Sequence, residues 1–422
     1  MSSTDLNREP SPAPDDARQP TGAPPRPPSV PPRPQKLPLA ALLALATAVF
    51  ITSLTETLPA GLLPAMSADL HVSEAATGQT VTVYALGTVL TAIPLAAATA
   101  GVRRRPLLLS AMAGFAVANT VTALSPYYPL TMAARFAAGV AAGLVWTLLA
   151  GYARRLAPLH LQGRAIAVAM AGIPVALSFG VPAGSFVGKA IGWQAAFLLM
   201  TGLTLVLLGW ILAAVPDQPG HPARKGPSAS MARALDVPGV TPVLFVTFVF
   251  VLAHTILYTY VSPFLDHLAM GGRTDLVLLL FGAASLLGIW AVGTLINRRL
   301  RALMIAGTWL IAVAGTALAL LSGTPAAVYA AVALWGLGWG GAPTLLQTAA
   351  GDAGGEQADA AQAMLVTLWN VAMAGGGVAG GLLLDAFGTG ALPWSVPILL
   401  VPVLAVVLGA RTHGFPARPR AS

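Results

Sequence analysis

Apolar residues arrive in long blocks along this chain, and polar ones gather in the short intervals between them. Twelve blocks begin near Leu39, Ala75, Leu107, Tyr128, Arg164, Gln194, Val240, Asp275, Leu303, Pro325, Ala360 and Pro393. Each continues for about 18 to 27 residues, the length an α-helix needs to cross hydrocarbon. Several contain Gly or Pro, which membrane helices tolerate because neighbouring helices re-satisfy the freed backbone groups. The pattern predicts an all-α membrane protein with twelve transmembrane helices.

Between the sixth and seventh blocks lies a Pro-, Gly- and Ser-rich stretch, residues 216–238. It divides the chain into two six-helix bundles, 37–215 and 239–410, expected to be pseudo-symmetric. Residues 1–36 carry eleven prolines and no apolar run, so they read as a disordered cytoplasmic tail and not as a signal peptide. Residues 411–422 form a second short tail.

Charge supports the same division. With twelve spans, 20 of the 23 Lys and Arg fall on the side of the two chain ends, and only Lys189 and Arg273 fall opposite, with Arg135 inside the fourth span. The positive-inside rule then places both termini in the cytoplasm of a multi-pass protein in the plasma or inner membrane. Charged residues make up 9% of the chain against roughly 25% in soluble proteins. Mean hydropathy is +0.75. The basic pI does not point to nucleic acid, because the cations sit in small clusters between spans and form no single patch. There is no cysteine, which removes disulfides, thiolate metal sites and a cysteine nucleophile. No metal and no cofactor is expected.

Glu56 stands out against this background. It lies a few residues past the middle of the first block, within about 6 Å of the midplane at 1.5 Å per residue. A carboxylate there costs about 2.5–3.5 kcal/mol on insertion scales, so it is expected to face an interior and to carry a proton. The bland alternative is a structural acid bonded to a neighbouring helix. Helical spacing places Thr52, Pro59 and Ala60 on its face, small enough to leave room for water or substrate.

Several segments carry a family resemblance. Thr55-Glu56-Thr57-Leu58-Pro59-Ala60-Gly61-Leu62-Leu63-Pro64 with Asp69-Leu70, Arg135-Phe136-Ala137-Ala138-Gly139, and Gly180-Val181-Pro182-Ala183-Gly184 are the clearest. His254 through Pro263 and Ala361-Gln362 through Asn370 add to them. Together they resemble the major facilitator superfamily, and within it the twelve-helix drug:proton antiporters and the arabinose and sugar efflux permeases. The resemblance implies alternating access between two halves and a proton-transfer role for Arg135. It also implies proton-coupled export of a small, amphipathic or drug-like molecule, with multidrug or antibiotic resistance as one outcome. Sugar, nucleoside or other metabolite efflux, or uniport without protons, are the nearer rivals. Two departures stand out. The loop after the second span reads Ala100-Gly101-Val102-Arg103-Arg104-Arg105, without the aspartate usual in the family, and Asn297 stands where an aspartate is common after the eighth.

Other polar and aromatic residues inside spans are candidates for contact with substrate. Arg135 either pairs with or hydrates Glu56, or snorkels outward. Trp146 shares its face. His254, Tyr258 and Ser262 form a polar stripe four residues apart; Trp335, Trp339 and Gln347 form another, and Asn370 lies deep in the eleventh span. Core packing is the competing reading for each. Gly180, Gly184 and Gly188, with Pro182 among them, and Gly376 with Gly380 and Gly377 with Gly381, have the spacing that lets helix backbones approach closely. They are expected at the interface between the halves. Gly375-x-Gly377-x-x-Gly380 fits a dinucleotide fingerprint but follows no strand, so it is rejected. No phosphate-binding Gly-x-x-x-x-Gly-Lys-Ser/Thr loop is present, which excludes ATP as a direct driver. A membrane enzyme would need convergent acids or histidines that the chain does not offer. The expected partners are a small-molecule substrate, protons and the bilayer, with the protein a monomer; a non-transporting membrane sensor is the remote alternative.

Overall fold

The computed structural model describes residues 37–99, 101–158, 161–220 and 233–416, and among them there is no β-strand. The proline-rich tail, residues 221–232 of the expected linker and residues 417–422 lie outside the described residues. Among the described residues, ten helices are long and apolar enough to span a membrane. They are α1 (Leu39–Leu70), α3 (Arg104–Leu124), α4 (Tyr128–Leu156), α5 (Gln162–Ile191) and α6 (Trp193–Ala214), then α7 (Val240–Thr259), α8 (Gly271–Ile296), α9 (Arg298–Leu321), α11 (Ala360–Phe387) and α12 (Ala391–Gly409). Two more complete the twelve: α2 (Glu74–Ala98), and α10, built from Pro325–Gly340 and Ala342–Gly354. Every helix starts within a few residues of its expected position.

Three details differ from an array of plain helices. At α5, Pro182 brings no N–H to the Ser178 carbonyl, and the helix widens into a π-turn over Ala176–Gly180. Helix α10 breaks at Gly341, with Pro343 opening its second segment. Helices α8 and α9 run on without a loop, turning only at Arg299, whose φ of −138° and ψ of 28° leave the helical region.

The packing repeats between the halves. The Gly180, Gly184 and Gly188 stripe of α5 lies on Phe50, Leu54, Leu58 and Leu62 of α1. Gly376 and Gly380 of α11 lie in the same way on Thr255 and Ile256 of α7 and on Tyr260 just past its end. These glycines therefore pack inside each half, which corrects the expectation that they form the interface. The reason is that α5 and α11 each offer more than one small face, and the one toward the first helix of the half takes these residues. Of the glycines expected at the interface, Gly377 and Gly381 do lie across the halves, facing Thr82 and Gln79 of α2, and Gly282 of α8 adds a contact there by facing Ser178 of α5.

The arginines after α2 make specific contacts. Arg103 pairs with Asp217 at 2.5 Å, and the Arg105 backbone N–H donates to the same carboxylate at 3.2 Å. The Arg105 guanidinium caps the Leu212 carbonyl at the end of α6. Arg301 repeats this at the start of α9, donating to Val407 and Leu408 carbonyls at the end of α12, at 3.3 and 2.8 Å. Asp217 thus meets the arginine cluster in place of the acid that its own loop lacks.

Candidate functional site

A cavity of about 260 Å³ opens at mid-depth between the halves. Helices α1, α2, α4 and α5 line one side of it, and α7, α8, α10 and α11 the other. On α1 the lining residues are Ser53, Glu56, Thr57 and Ala60. This face is rotated from the one expected. Thr52 turns away: its hydroxyl bonds back to the Ala48 carbonyl at 2.8 Å, and its own carbonyl accepts the Tyr84 hydroxyl at 3.1 Å.

Glu56 is 8% exposed, borders the cavity, and has no hydrogen-bond partner among the described residues. Arg135 lies behind it, fully buried, and the two form no ion pair within 4.0 Å. Instead, Arg135 Nη1 donates to the Thr55 carbonyl at 2.7 Å and Nε to the Thr80 carbonyl at 3.3 Å. Its guanidinium carbon sits 4.9 Å from the Tyr84 ring centre. Arg135 therefore clamps α1 to α2 from α4 and sits one residue along the chain from Glu56's backbone. The guanidinium is held inside the bundle, not snorkelled to a surface.

The opposite wall is aromatic. His254 stacks face to face on Trp339, with ring centres 3.4 Å apart and planes inclined by 6°. Trp369 leans on Trp339 at 5.6 Å, and Tyr258 and Phe281 complete the wall at 5.5 Å from each other. Trp335 does not line the cavity; its indole Nε1 donates to His254 Nδ1 at 3.1 Å from behind. An indole N–H only donates, so Nδ1 must accept, and while this bond stands His254 is neutral and carries its proton on Nε2. Asn370 lines the cavity and donates back to the Val366 carbonyl at 2.9 Å, leaving its amide oxygen as a free acceptor. Trp146 and Gln347 also face the cavity.

Of the contact residues expected from sequence, Trp146, His254, Tyr258, Trp339 and Asn370 thus come together around one space with Glu56, while Thr52 and Trp335 stand outside it. Sequence reasoning passed over Phe281 and Trp369. Trp369 carried a readable signal, being adjacent to Asn370; Phe281 carried none, since a phenylalanine in an apolar span is unremarkable.

Beyond the cavity, at the end remote from Leu37 and Pro416, the halves are latched. Gln79 Nε2 donates to the Gly377 carbonyl at 3.2 Å, and the Tyr260 hydroxyl reaches the Gly377 and Ala75 carbonyls at 2.8 and 3.3 Å. Thr82 Oγ1 donates to the Ala374 carbonyl at 3.3 Å and Ser178 Oγ to the Gly282 carbonyl at 2.9 Å. Lys189 pairs with Asp275 at 2.5 Å. The cavity is therefore closed toward that end.

Known proteins resemble this chain in sequence or in fold. Over 88% of the chain and 94% of the relative, it is 30% identical to the transcription regulatory protein OpdE of Pseudomonas aeruginosa. It is 29% identical to the purine ribonucleoside efflux pump NepI of Escherichia coli, over 87% of the chain and 93% of the pump. The human organic anion transporter TETRAN superposes with a TM-score of 0.67 at 17% identity, covering 88% of this chain and all of that one. A bacterial homologue of the human lysosomal transporter Spinster gives 0.61 at 13% identity, covering 90% and 97%. The sequence model of the Major Facilitator Superfamily matches residues 45–376. A twelve-helix bundle with a central cavity, matched by that model over most of its length, makes this chain a member of the Major Facilitator Superfamily.

Proposed function

We propose that the protein exports a small molecule with a planar aromatic part in exchange for protons, by alternating access. The observation that carries this reading is Glu56: an unpartnered carboxylate on one wall of a mid-membrane cavity whose other wall is a stack of aromatic rings. The aromatic wall suits a flat apolar group. The Asn370 oxygen and His254 Nε2–H offer an acceptor and a donor beside it, so the cavity suits nucleosides as well as amphipathic drugs. The name of the NepI relative supports the nucleoside side of that range, and efflux as the direction. Trp146, His254, Tyr258, Trp339 and Asn370 are the contacts assigned to substrate. Glu56 carries the proton, and Arg135 acts on it through its charge and its hold on the Thr55 carbonyl.

In this scheme the protein is an inner-membrane monomer with cytoplasmic termini, and the bundles 37–215 and 239–410 rock about the cavity. Glu56 takes a proton when the cavity faces outward and releases it inward. Neutral Glu56 tolerates a dry, closed cavity, whereas the charged form calls for water or substrate, which ties the movement to the load.

Glu56→Gln is the test. Proton-driven efflux from everted vesicles is expected to be lost while substrate counterflow survives; unchanged proton-driven efflux rules the coupling role out. A second reading, a membrane sensor that binds ligand without moving it, takes support from the name of the OpdE relative. Under that reading, vesicles carrying the unaltered protein accumulate no substrate.

A further inference from the structure

Behind α1, on the side of Arg135, the interior is polar and incompletely bonded. Arg135 Nη2, Asn119 Oδ1, Thr80 Oγ1 and Thr131 Oγ1 are all buried without a hydrogen-bond partner. All four residues are fully buried. They come from three helices packed around a fourth, α1, and two of them, Arg135 and Asn119, reach its Thr55. Arg135 Nη1 holds the Thr55 carbonyl, Asn119 Nδ2 donates to Thr55 Oγ1 at 3.2 Å, and Arg135 Nε holds the carbonyl of Thr80 itself. Thr131 lies one turn before Arg135 on α4, the direction in which a helical side chain leans.

The two threonines are unusual for this protein. Buried threonines elsewhere, such as Thr52, Thr122, Thr204, Thr247 and Thr308, turn the hydroxyl back onto the carbonyl four residues earlier, at 2.7 or 2.8 Å. For Thr80 that carbonyl, of Ala76, takes the Tyr128 hydroxyl at 2.7 Å. For Thr131 it is the Tyr127 carbonyl, which takes the Ser125 hydroxyl at 3.0 Å as well as the helical N–H. Both hydroxyls are left for something else. An unmet buried polar atom is costly, and three oxygens left unbonded with one guanidinium nitrogen make a water site the economical solution.

We propose that α1, α2, α3 and α4 enclose a small hydrated chamber around Arg135, separate from the central cavity, and that it delivers protons to Glu56 from the latched end of the bundle. The chamber lies near that end: Thr131 is in the first turn of α4, Asn119 in the last turns of α3 and Thr80 in the second turn of α2. A proton entering there passes along water, each hydroxyl accepting one proton and giving another on, and rests on the Glu56 carboxylate. Arg135 has no acceptor, stays charged throughout, and orients the water. Tyr84, over which its guanidinium lies, is the other titratable group facing the chamber. The route rests on the proton-coupled reading, but the chamber itself does not.

Two measurements separate these. Hydroxyl-radical footprinting of the purified full-length protein is expected to label Tyr84, fully buried, because radicals form on water beside it. The Thr80→Val/Thr131→Val double variant is expected to lose that label. In vesicles the double variant is expected to lower proton-driven efflux about ten-fold, with counterflow retained, whereas Thr80→Ser/Thr131→Ser, which keeps both hydroxyls, is expected to retain the rate. An unlabelled Tyr84 in the unaltered protein overturns the chamber. Labelled Tyr84 with normal efflux in the double variant overturns the route, while Glu56→Gln judges proton coupling on its own.

Discussion

His254 shows how a single donor can set what a cavity offers. Trp335 Nε1–H fixes the tautomer of His254, and the stack on Trp339 fixes its plane. Trp335→Phe keeps most of the volume but strands Nδ1. It is expected to cost about 1–3 kcal/mol, read as a lower melting temperature in detergent, and to weaken substrate binding without abolishing proton release. His254→Phe, by contrast, is expected to keep the stack and lose the donor, so binding of apolar substrates persists while that of hydrogen-bonding ones falls. From sequence, Trp335 and Trp339 were equivalent, four residues apart on one helix face. Only the position of α7 makes one of them wall and the other support. Arg135 was legible as an anomaly, but its partners are main-chain carbonyls of Thr55 and Thr80, and a carbonyl leaves no mark on a sequence.

Among the helices, the close crossings decide what can be substituted. A methyl at Gly139 of α4 would run into the Tyr84 carbonyl of α2, and one at Gly340 of α10 into the Ser285 carbonyl of α8. Backbone cannot step aside as a side chain can. Gly139→Ala is therefore expected to destabilise by about 1–3 kcal/mol and to lower the yield of folded protein. Gly184→Ala meets only the flexible tip of Leu58, and a thermal-shift measurement is expected to find it close to the unaltered protein. The helix starts were legible because a membrane imposes length and polarity limits on every span. The π-turn before Pro182 and the break at Gly341 were not, because prolines and glycines occur in many spans that stay regular. Which glycine faces which helix also needed the fold, since α5 and α11 each carry small residues on more than one face.

Across the whole bundle, the latched end is also where acidity acts. Burial raises the pKa of Glu74 at the start of α2, and the charge of Asp266 after α7 raises it further. Burial lifts Asp266 too, although Lys189 opposes the rise. Opening the latch would hydrate and separate these acids, so the closed form holds protons more tightly than the open one. By linkage, the latch strengthens as pH falls toward the ordinary carboxylate range and loosens as pH rises through the elevated values. Spin labels placed across that end are expected to report shorter distances at acidic pH, and Glu74→Gln to flatten the dependence. A response of the opposite sign would rule out this role for the pair.

The chemistry of the latch also governs how it can change by mutation. Its acceptors at Ala75, Gly377, Ala374 and Gly282 are main-chain carbonyls, while its neutral donors are the side chains of Gln79, Thr82, Tyr260 and Ser178. A substitution can delete a donor but cannot delete a carbonyl. Screens for variants that favour the outward-open form should therefore return a lopsided map, with hits at four donor positions and the facing stretch of α11 silent except where a bulkier residue wedges the helices apart.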